Sequence, residues 1–395
     1  MTNNPIDTSM TPISPANLAH AVAMIKHYGD ERWGVSNTAD GGIAFDMHDL
    51  QNRIDQDGVS NTVQFLIDAL KEGYIKPEEF SIRQLAECFL PDGLAQINAI
   101  GTLSTETTAP LMTLLGAIVE TKVKEAFNHK DFVIAKSVQT LPSHPQGERI
   151  CLFPFTEDLS GAVLDHENPD KLVELDQYVD TPEVTHRGLS LAITKEMVLK
   201  DQTHVLLQLA SKVGLAFGIS KEQQIINAIA GVDNTAPPFV LNGQEKVFYA
   251  MQQSQMPWVN RSTNMDLNIE SIFNARLYIS ENLRVRNLPD HYDILATTRN
   301  TFLSMDTVNQ IEGSSDMRLI RSEYLWTKVR MISITGPLYW WIGDFSKAFA
   351  YMESGGITLL ESDTHVDTNH VVCFDISEKG VAALINPLYV VQCLV

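Results

Sequence analysis

The stretch that decides the fold is TKEMVLKDQTHVLLQLASKVGLAFGISKEQQIINAIA, residues 194–230. Its apolar side chains recur mostly three or four positions apart, which is the spacing of one helix face. These apolar positions are Val198, Val205, Leu206, Leu209, Val213, Phe217, Ile225 and Ile229. No proline interrupts the stretch, and Gly231 follows it where a C-terminal cap is expected. The pattern predicts one helix from Thr194 to Ala230, ~37 residues and roughly 55 Å long at about 1.5 Å per residue.

A helix of this length is unusual, because the mean globular helix has only about 11–12 residues. It favours a spine across an extended subunit over the wall of a compact enzyme pocket. Gly214 and Gly218 weaken its middle, so a bent helix or a broken pair of helices is the alternative.

The segment in front of this helix predicts a projecting hairpin. A strand is expected over residues 150–155, and the alternating residues 189–193 predict a second one. Between Glu148 and Arg187 there are ten acidic and three basic residues. A hairpin this long and this charged has little apolar surface to bury, so we expect it to extend away from the body.

The remainder of the chain mixes helical and strand patterns. Residues 1–102 are expected to form a mainly helical region, with one helix at 63–72 and another opened by Pro77. An amphipathic helix follows within 103–130, and a further helix is expected over 268–282, after a turn at Asn242-Gly243. Strands are predicted at 292–297, 338–342, 349–352, 357–361, 371–376 and 388–395. The fold class predicted is therefore α+β.

Composition excludes several classes of function. The chain has 395 residues, with 29 basic against 49 acidic residues and a net charge of −20. Nucleic-acid binding by the bulk of the surface is not expected, because phosphate contacts need clustered Lys and Arg. The four cysteines form no C-x-x-C pair, and we expect free thiols. No apolar run approaches the ~20 residues that span a bilayer, and the N-terminus lacks the pattern of a signal peptide.

A search for chemical motifs finds none. Phosphate-binding loops, dinucleotide-binding turns, zinc-protease motifs and nucleophile elbows are all missing from the sequence. The cluster Asp165-His166-Glu167 is a poor metal site, because adjacent loop side chains point apart and no second cluster is near in sequence. We therefore expect no catalytic residue, no metal and no cofactor, and we expect that the chain is not an enzyme.

Four stretches together resemble one protein family. The block from Trp341 to Tyr351 reads WIGDFSKAFAY, which resembles the "GDF-S-K/R-A-Y/F" strand of tailed-phage major capsid proteins with the Hong Kong 97-like fold. Three more resemblances occur in the family's order. The end of the family's extended loop and the start of its spine helix resemble TPEV at 181–184, RGL at 187–189, ITKEM at 193–197 and DQT at 201–203. The rest of that helix resembles residues 214–231, with KEQQII at 221–226, and the closing strands resemble GVA at 380–382 and NPLYVV at 386–391. Read structurally, Asp344 caps a turn, and Trp340, Trp341 and Phe345 are core aromatics.

The resemblance covers roughly residues 103–395 and implies a division of the chain into segments. These would be a helical N-terminal arm or extension at 1–102, the first part of the capsid fold at 103–147, an extended loop at 148–188, a peripheral domain with the spine helix at 189–236, an axial domain at 237–337, and strands returning from the peripheral to the axial domain at 338–395. The N-terminal extension departs from the family pattern. We expect it to clamp neighbouring subunits or to form an added domain.

The same resemblance implies assembly. Copies would form pentamers and hexamers that close into an icosahedral shell around double-stranded DNA, in a virion built in the host cytoplasm. Partners would be other copies, a portal, and scaffolding or decoration proteins, with no membrane and no sequence-specific DNA contact. Loop residues would face basic residues of a neighbour, and the candidates are Asp165, Glu167, Asp170, Lys171 and Glu174 with Arg284, Arg286, Arg318 and Arg321. A solvated surface of mixed charge is the alternative for these arginines.

Two other interpretations stay open at this point. A nanocage of the encapsulin kind has the same fold and holds protein cargo instead of DNA. A soluble enzyme without a recognisable motif is the third possibility. Lys171 is the only lysine of the loop, but no family cross-linking motif surrounds it, so it receives no cross-linking role.

Overall fold

A computed structural model describes most of the chain outside the first 46 residues. The described residues are 47–90, 92–95, 97, 105–151, 178–231, 237–251, 256, 258–282, 289–296, 311–320, 339–362 and 369–394. Within them lie eight α-helices: α1 Met47–Asp57, α2 Val59–Lys71, α3 Ile82–Phe89, α4 Thr105–Phe127, α5 Lys195–Leu199, α6 Thr203–Ala230, α7 Ile269–Asn282 and α8 Phe345–Ala348. Short 3₁₀ turns occupy Pro77–Glu79 and Pro387–Tyr389.

The described strands form three sheets, which confirms the predicted α+β class. The strands are β1 Gln139–Pro142, β2 Arg149–Cys151, β3 Tyr178–Asp180, β4 Thr185–Thr194, β5 Phe239–Leu241, β6 Gln244–Lys246, β7 Arg261–Ser262, β8 Tyr292–Ala296, β9 Met317–Ile320, β10 Tyr339–Gly343, β11 Phe349–Glu361, β12 His370–Leu384 and β13 Val390–Leu394. Within the three sheets the strand orders are β1-β11-β12-β4, β7-β13-β10-β8-β9 and β2-β3-β5-β6.

The chain divides into two compact units. Unit 1 comprises residues 1–127, 188–215 and 357–377, and unit 2 comprises 128–187, 216–356 and 378–395. Unit 2 contains two apolar clusters. One includes Phe248, Trp258 and Phe349, and the other gathers Ile272, Ile279 and Trp340.

In unit 1 the N-terminal helices pack on α4. Helices α2 and α3 both contact α4, and α3 also contacts α5. The apolar residues of this region are buried, as the sequence pattern predicts: Val63, Phe65, Leu66, Leu70, Ile82, Leu85 and Phe89 from the first helices, and Leu111, Leu115, Ile118 and Val119 from α4. The backbone N–H of Ile82 donates to Thr203 Oγ1 at 2.9 Å, and Lys122 forms an ion pair with Glu78. Residues 59–89 are therefore an integral part of unit 1.

The predicted single helix from Thr194 to Ala230 is wrong at its first turns. Helix α5 ends after Leu199, and α6 starts at Thr203. Asp201 has a positive φ of 49°, its N–H donates to Val198 O, and the N–H of Gln202 donates to Met197 O. This pattern is a Schellman C-cap with aspartate in the left-handed position that glycine usually fills. The remaining 28-residue helix is still more than twice the mean length.

The two glycines within α6 do not break the helix. A Cβ on Gly214 would overlap the backbone carbonyl of Val123, and a Cβ on Gly218 would overlap the ring of Phe132. They are sites of close packing. Gly231 ends the helix with φ 57°, as predicted, and the ring of Tyr249 occupies the space that a side chain would need.

Other predicted elements differ in their ends, and the helix expected to open at Pro77 begins instead at Ile82, because Pro77 opens a separate 3₁₀ turn and Ser81 caps the helix. Asn242 and Gly243 both have positive φ and join the antiparallel strands β5 and β6, which confirms the predicted turn. The strands predicted at 349–352 and 357–361 are one strand, β11, which contains Gly355 and Gly356 with positive φ. The short strands β1, β3, β5, β6, β7 and β9 were not predicted.

Candidate assembly surfaces and their anchors

The residues of the GDFS block form a compact turn between β10 and β11. Gly343 has no room for a side chain, because a Cβ would overlap the carbonyl oxygen of Tyr389. The carbonyl oxygen of Asp344 accepts from the N–H groups of Lys347 and Ala348 at 3.1 and 2.9 Å, and its carboxylate accepts from Ser346 Oγ at 2.6 Å.

Three aromatic side chains of this region, Trp340, Trp341 and Phe345, are fully buried. The prediction that these three aromatics are core residues is therefore confirmed. Asp344 stands at the N-cap position of α8, but its side chain makes no capping hydrogen bond.

A second resemblance residue, Arg187, lies at the base of the predicted extended loop. The carboxylate of Glu378, which is 0% exposed, accepts from Arg187 Nε at 2.8 Å and pairs with Nη2 at 2.5 Å. The hydroxyl of Tyr351 donates to Glu378 and accepts from Arg187 Nη2 at 2.7 Å. Arg187 Nη1 donates to Ser220 Oγ at 2.5 Å. Arg187 therefore connects strand β4 with β11, β12 and helix α6.

Two more charged residues are buried beside this cluster. Lys221 lies over the ring of Tyr351, with Nζ 4.4 Å from the ring centroid. Burial lowers the pKa of Lys221, against the opposing effect of Glu353 and Glu378. Burial and the charge of Glu378 also raise the pKa of Tyr351. The carboxylate of Glu222 accepts from the N–H groups of Ile134 and Ala135 at 3.0 and 2.8 Å.

The strands predicted at 150–155 and 189–193 do not pair with each other, so this part of the hairpin prediction is wrong: β4 lies beside β12 in another sheet, and the partner of β2 is β3. Strands β2 and β3 are antiparallel, with Arg149 opposite Asp180 and an ion pair of 2.9 Å between their side chains. The loop candidates Asp165, Glu167, Asp170, Lys171 and Glu174 lie outside the described residues.

Of the four candidate arginines, only Arg318 is a described residue. Arg284, Arg286 and Arg321 lie outside the described part of the chain. Arg318 donates to Asp293 Oδ1 at 2.7 Å, and its side chain is 47% exposed whereas Asp293 is fully buried. It therefore has an acidic partner within its own chain, and its predicted contact with a neighbour stays a prediction.

Asp293 is less completely paired than Glu378. Its Oδ2 is buried and accepts no hydrogen bond from any described residue, and His291 Nε2 lies 3.7 Å away. Burial raises the pKa of Asp293, opposed by Arg318 and His291, while the nearby Asp344 raises it further.

The described surface carries exposed apolar side chains. On α7, Phe273 and Leu277 lie one turn apart and are 62% and 57% exposed. In unit 1, Leu189 of β4 and Leu209 of α6 are also exposed, and they line an open pocket of about 300 Å³. Such patches are typical of surfaces that contact other proteins.

Sequence reasoning missed the buried charges at the base of the loop. Glu378 lies 191 positions from Arg187 along the chain, so no local spacing connects the two residues. The signal available in the sequence was Glu378, a charged residue within the apolar pattern of β12. A charge at such a position does not indicate which residue pairs with it.

Within the described residues, no group of three or more His, Cys, Asp or Glu side chains is arranged to hold a metal ion. A search of the described helices for a membrane-crossing segment finds none of sufficient length and apolarity.

No protein-family model and no curated protein matches the chain. Solved structures that it resembles are capsid and phage-related proteins. The capsid of a native GTA particle is 11% identical, with 67% of this chain and 90% of that chain covered and a TM-score of 0.41. A virus-like particle from Pyrococcus furiosus is 13% identical, covering 69% and 97% of the two chains at a TM-score of 0.41.

A phage-related protein from Bordetella bronchiseptica is 11% identical, covering 70% of this chain and 95% of that chain at a TM-score of 0.41. By name, these three structures are a capsid, a virus-like particle and a phage-related protein. Structural matches with a TM-score of 0.41 do not support an inference about function, so the functional argument rests on the chain's own residues.

Proposed function

We propose that this chain is a structural major capsid protein that self-assembles, as pentamers and hexamers, into an icosahedral shell enclosing the double-stranded DNA of a tailed phage. Heterologous contacts that close by rotation generate such rings. The virion assembles in the host cytoplasm, and a portal together with scaffolding or decoration proteins completes it.

The observation that carries the proposal is the Arg187 cluster. Residues that bear the family resemblance, Arg187, Lys221 and Tyr351, meet around buried Glu378 at the point where an acidic loop returns to the body. A buried, fully hydrogen-bonded charge cluster rigidifies its surroundings. A firmly held base suits a loop that must contact a neighbouring subunit.

The proposed organisation follows the family. Residues 148–188 are the extended loop, 189–236 with the later strands the peripheral domain, and 237–337 with the last strand the axial domain. The loop acids Asp165, Glu167, Asp170 and Glu174 face basic residues of a neighbour. Exposed pairs of this kind contribute only ~0–1 kcal/mol each, and their number in a shell makes them effective.

The N-terminal extension is proposed to stay in the mature shell as an added domain. Residues 59–89 bury apolar side chains such as Leu66 and Phe89 in unit 1. Cleavage between residues 90 and 105 followed by loss of the extension would leave helix α4 without the contacts that it makes with α2 and α3. Mass spectrometry of mature particles should find a chain that begins before residue 59, and a start near residue 105 would contradict this part of the proposal.

The function is tested by sedimentation and nuclease protection. The purified chain should sediment as large closed particles, and native particles should protect double-stranded DNA from nuclease. Particles that instead contain a co-purifying protein and no protected DNA would favour the encapsulin-like alternative. A chain that stays monomeric over a wide range of salt and protein concentration would contradict assembly as the function.

A further inference from the structure

Helix α7 has a buried face and an exposed face. Ile272, Ala275 and Ile279 lie in the apolar cluster around Trp340 and are at most 2% exposed. The opposite face consists of six exposed residues spaced three or four positions apart: Glu270, Phe273, Asn274, Leu277, Tyr278 and Glu281. Three of these are large apolar or aromatic residues, although the water-facing side of a helix is ordinarily polar. The buried face already anchors the helix, so these three side chains do not serve the core.

The middle of the exposed face has the shape of a helix-binding groove. Residues four apart line up as ridges on a helix, so Phe273 and Leu277 form one ridge, and Asn274 and Tyr278 form the next. Phe273 and Leu277 are 62% and 57% exposed. The groove between two such ridges receives the side-chain ridge of a second helix. The shape therefore fits a helix with apolar side chains in the middle of its contact face.

Both ends of this groove are acidic. Glu270 lies in the first turn of α7 and Glu281 in the last, about 16 Å apart along the helix axis. Arg276 is the only basic residue of the helix, and it pairs with Asp316 at 2.7 Å. The exposed face is therefore apolar in its centre and negative at each end.

The charge selects the kind of partner. An antiparallel pairing of α7 with a second α7 that covers both apolar patches puts Phe273 opposite Tyr278 and Glu270 opposite Glu281, so like charges meet at both ends. The whole chain has 49 acidic against 29 basic residues, so other surfaces of a second copy are repelled on average. Nucleic acid and anionic lipid are repelled for the same reason. The complement of this face is an apolar helix stripe with a basic residue at each end.

We infer that the exposed face of α7 binds an amphipathic helix of a different protein. That helix contacts Phe273 and Leu277 with apolar side chains, and the two glutamates with lysine or arginine. The inference goes beyond the proposed function, because it assigns to α7 a partner other than a second copy and holds whether or not the chain forms a shell. None of these α7 residues was among the predicted interface residues.

A designed helical peptide tests the surface. The probe carries leucines along one face and a lysine at each end of that stripe, about eleven positions apart. Fluorescence anisotropy with the full-length chain should show saturable binding of this peptide. The same peptide with glutamates in place of the lysines should bind at least about tenfold more weakly, and a peptide of scrambled sequence should not bind.

Substitution of a central leucine tests the place of binding. Leu277→Ser should weaken binding of the lysine peptide at least about tenfold, because it removes an apolar side chain from the middle of the contact. Leu360→Ser is the matched control, since Leu360 of β11 lies in unit 1 and is 67% exposed. It should leave binding unchanged. Circular dichroism of both variants checks that the fold is kept, which the exposure of both leucines predicts.

Charge reversal tests the choice of partner. Glu270→Lys combined with Glu281→Lys should make the glutamate peptide the tighter ligand, by about tenfold at low salt. Glu183→Lys combined with Glu245→Lys changes the net charge by the same amount at exposed positions outside α7. This control should still prefer the lysine peptide.

The outcomes separate this inference from the proposed function. If the lysine peptide does not bind, or binds the Leu277→Ser and charge-reversed chains as tightly as the wild type, the inference is overturned. If Leu277→Ser abolishes the formation of large particles, the face is a contact between copies, so the inference is overturned and the capsid function stands. Failure of the wild-type chain to form particles contradicts the capsid function alone, since peptide binding does not require a shell.

Discussion

Two buried carboxylates of unit 2, Glu378 and Asp293, have the same kind of partner but different surroundings. Each is 0% exposed and pairs with an arginine. Glu378 accepts hydrogen bonds from both Arg187 and Tyr351, and Arg187 itself is only 16% exposed. Asp293 leaves Oδ2 without a hydrogen bond from any described residue, and Arg318 is 47% exposed.

The difference shows that two ion pairs between an arginine and a buried carboxylate can differ in how firmly they hold the elements that they join. A desolvated charge is tolerated when hydrogen bonds satisfy all of its oxygens, and removal of one partner is then costly. A half-satisfied carboxylate can instead take up a proton, as the raised pKa of Asp293 indicates. We infer that the Glu378 cluster fixes the base of the loop, while the Asp293 pair holds the edge strand β9 less firmly.

The largest expected effect is on the Glu378 cluster. Arg187→Met keeps most of the aliphatic stem but leaves Glu378 buried without its cation, so the free energy of unfolding should fall by about 3–5 kcal/mol. Equilibrium urea unfolding of the unassembled wild-type and variant chains measures this decrease in the free energy of unfolding.

Arg149→Met is the matched control for that change. Arg149 also lies at the base of the loop, but it is 70% exposed and its partner Asp180 is 29% exposed. Its loss should lower the free energy of unfolding by less than about 1 kcal/mol. Equal losses for Arg149 and Arg187 would show that burial of the partner does not matter.

A smaller effect is expected at the second carboxylate. Arg318→Met should lower the free energy of unfolding by about 1–2 kcal/mol, since Asp293 loses a charged hydrogen-bond donor but can be protonated. Thermal and urea unfolding measured beside Arg187→Met would test the ranking. A loss as large as that of Arg187→Met would remove the distinction between the two sites.

Tyr351→Phe tests how much the hydroxyl adds to the Glu378 cluster. Arg187 remains, so only the bonds of the hydroxyl to Glu378 and Arg187 are lost. The expected decrease in the free energy of unfolding is about 1 kcal/mol. An unchanged stability would mean that Glu378 is satisfied by Arg187 alone.

The last prediction concerns pH. Because the folded-state pKa of Asp293 lies above its ordinary value of 3.8, the folded chain binds this proton more tightly than the unfolded chain does. The wild type should therefore gain stability relative to Asp293→Asn as the pH falls from neutrality towards 3.8, and lose that advantage as the pH rises. Urea unfolding of both chains across this range measures the difference. A difference that does not change with pH would contradict the assignment.

The sequence predicted those features that local periodicity encodes. The helices predicted at 63–72, within 103–130 and at 268–282 are present with somewhat different ends, and the cap at Gly231 and the Asn242-Gly243 turn lie where they were expected. The break after Leu199 was missed because its left-handed residue is Asp201, and an aspartate within an apolar helical pattern gives no sign of a cap.

The two ion pairs of the buried carboxylates could not have been predicted from local periodicity. Arg187 and Glu378, or Asp293 and Arg318, become neighbours only through the pairing of strands, and nothing in either local sequence selects the partner. The resemblance did identify Arg187 and the Gly343-Asp344-Phe345 block as residues that matter. The resemblance did not explain why these residues matter. The structure does: Arg187 forms a buried ion pair with Glu378, and Gly343 lies in a turn that has no room for a side chain.

Electron microscopy of the purified full-length chain tests the central claim most directly. Closed icosahedral shells tens of nanometres across, with pentamers and hexamers resolved and the base of each loop beside a neighbouring copy, are the predicted result. Discrete monomers or small open oligomers, persisting as salt and protein concentration are varied, would contradict the claim that this chain builds a capsid.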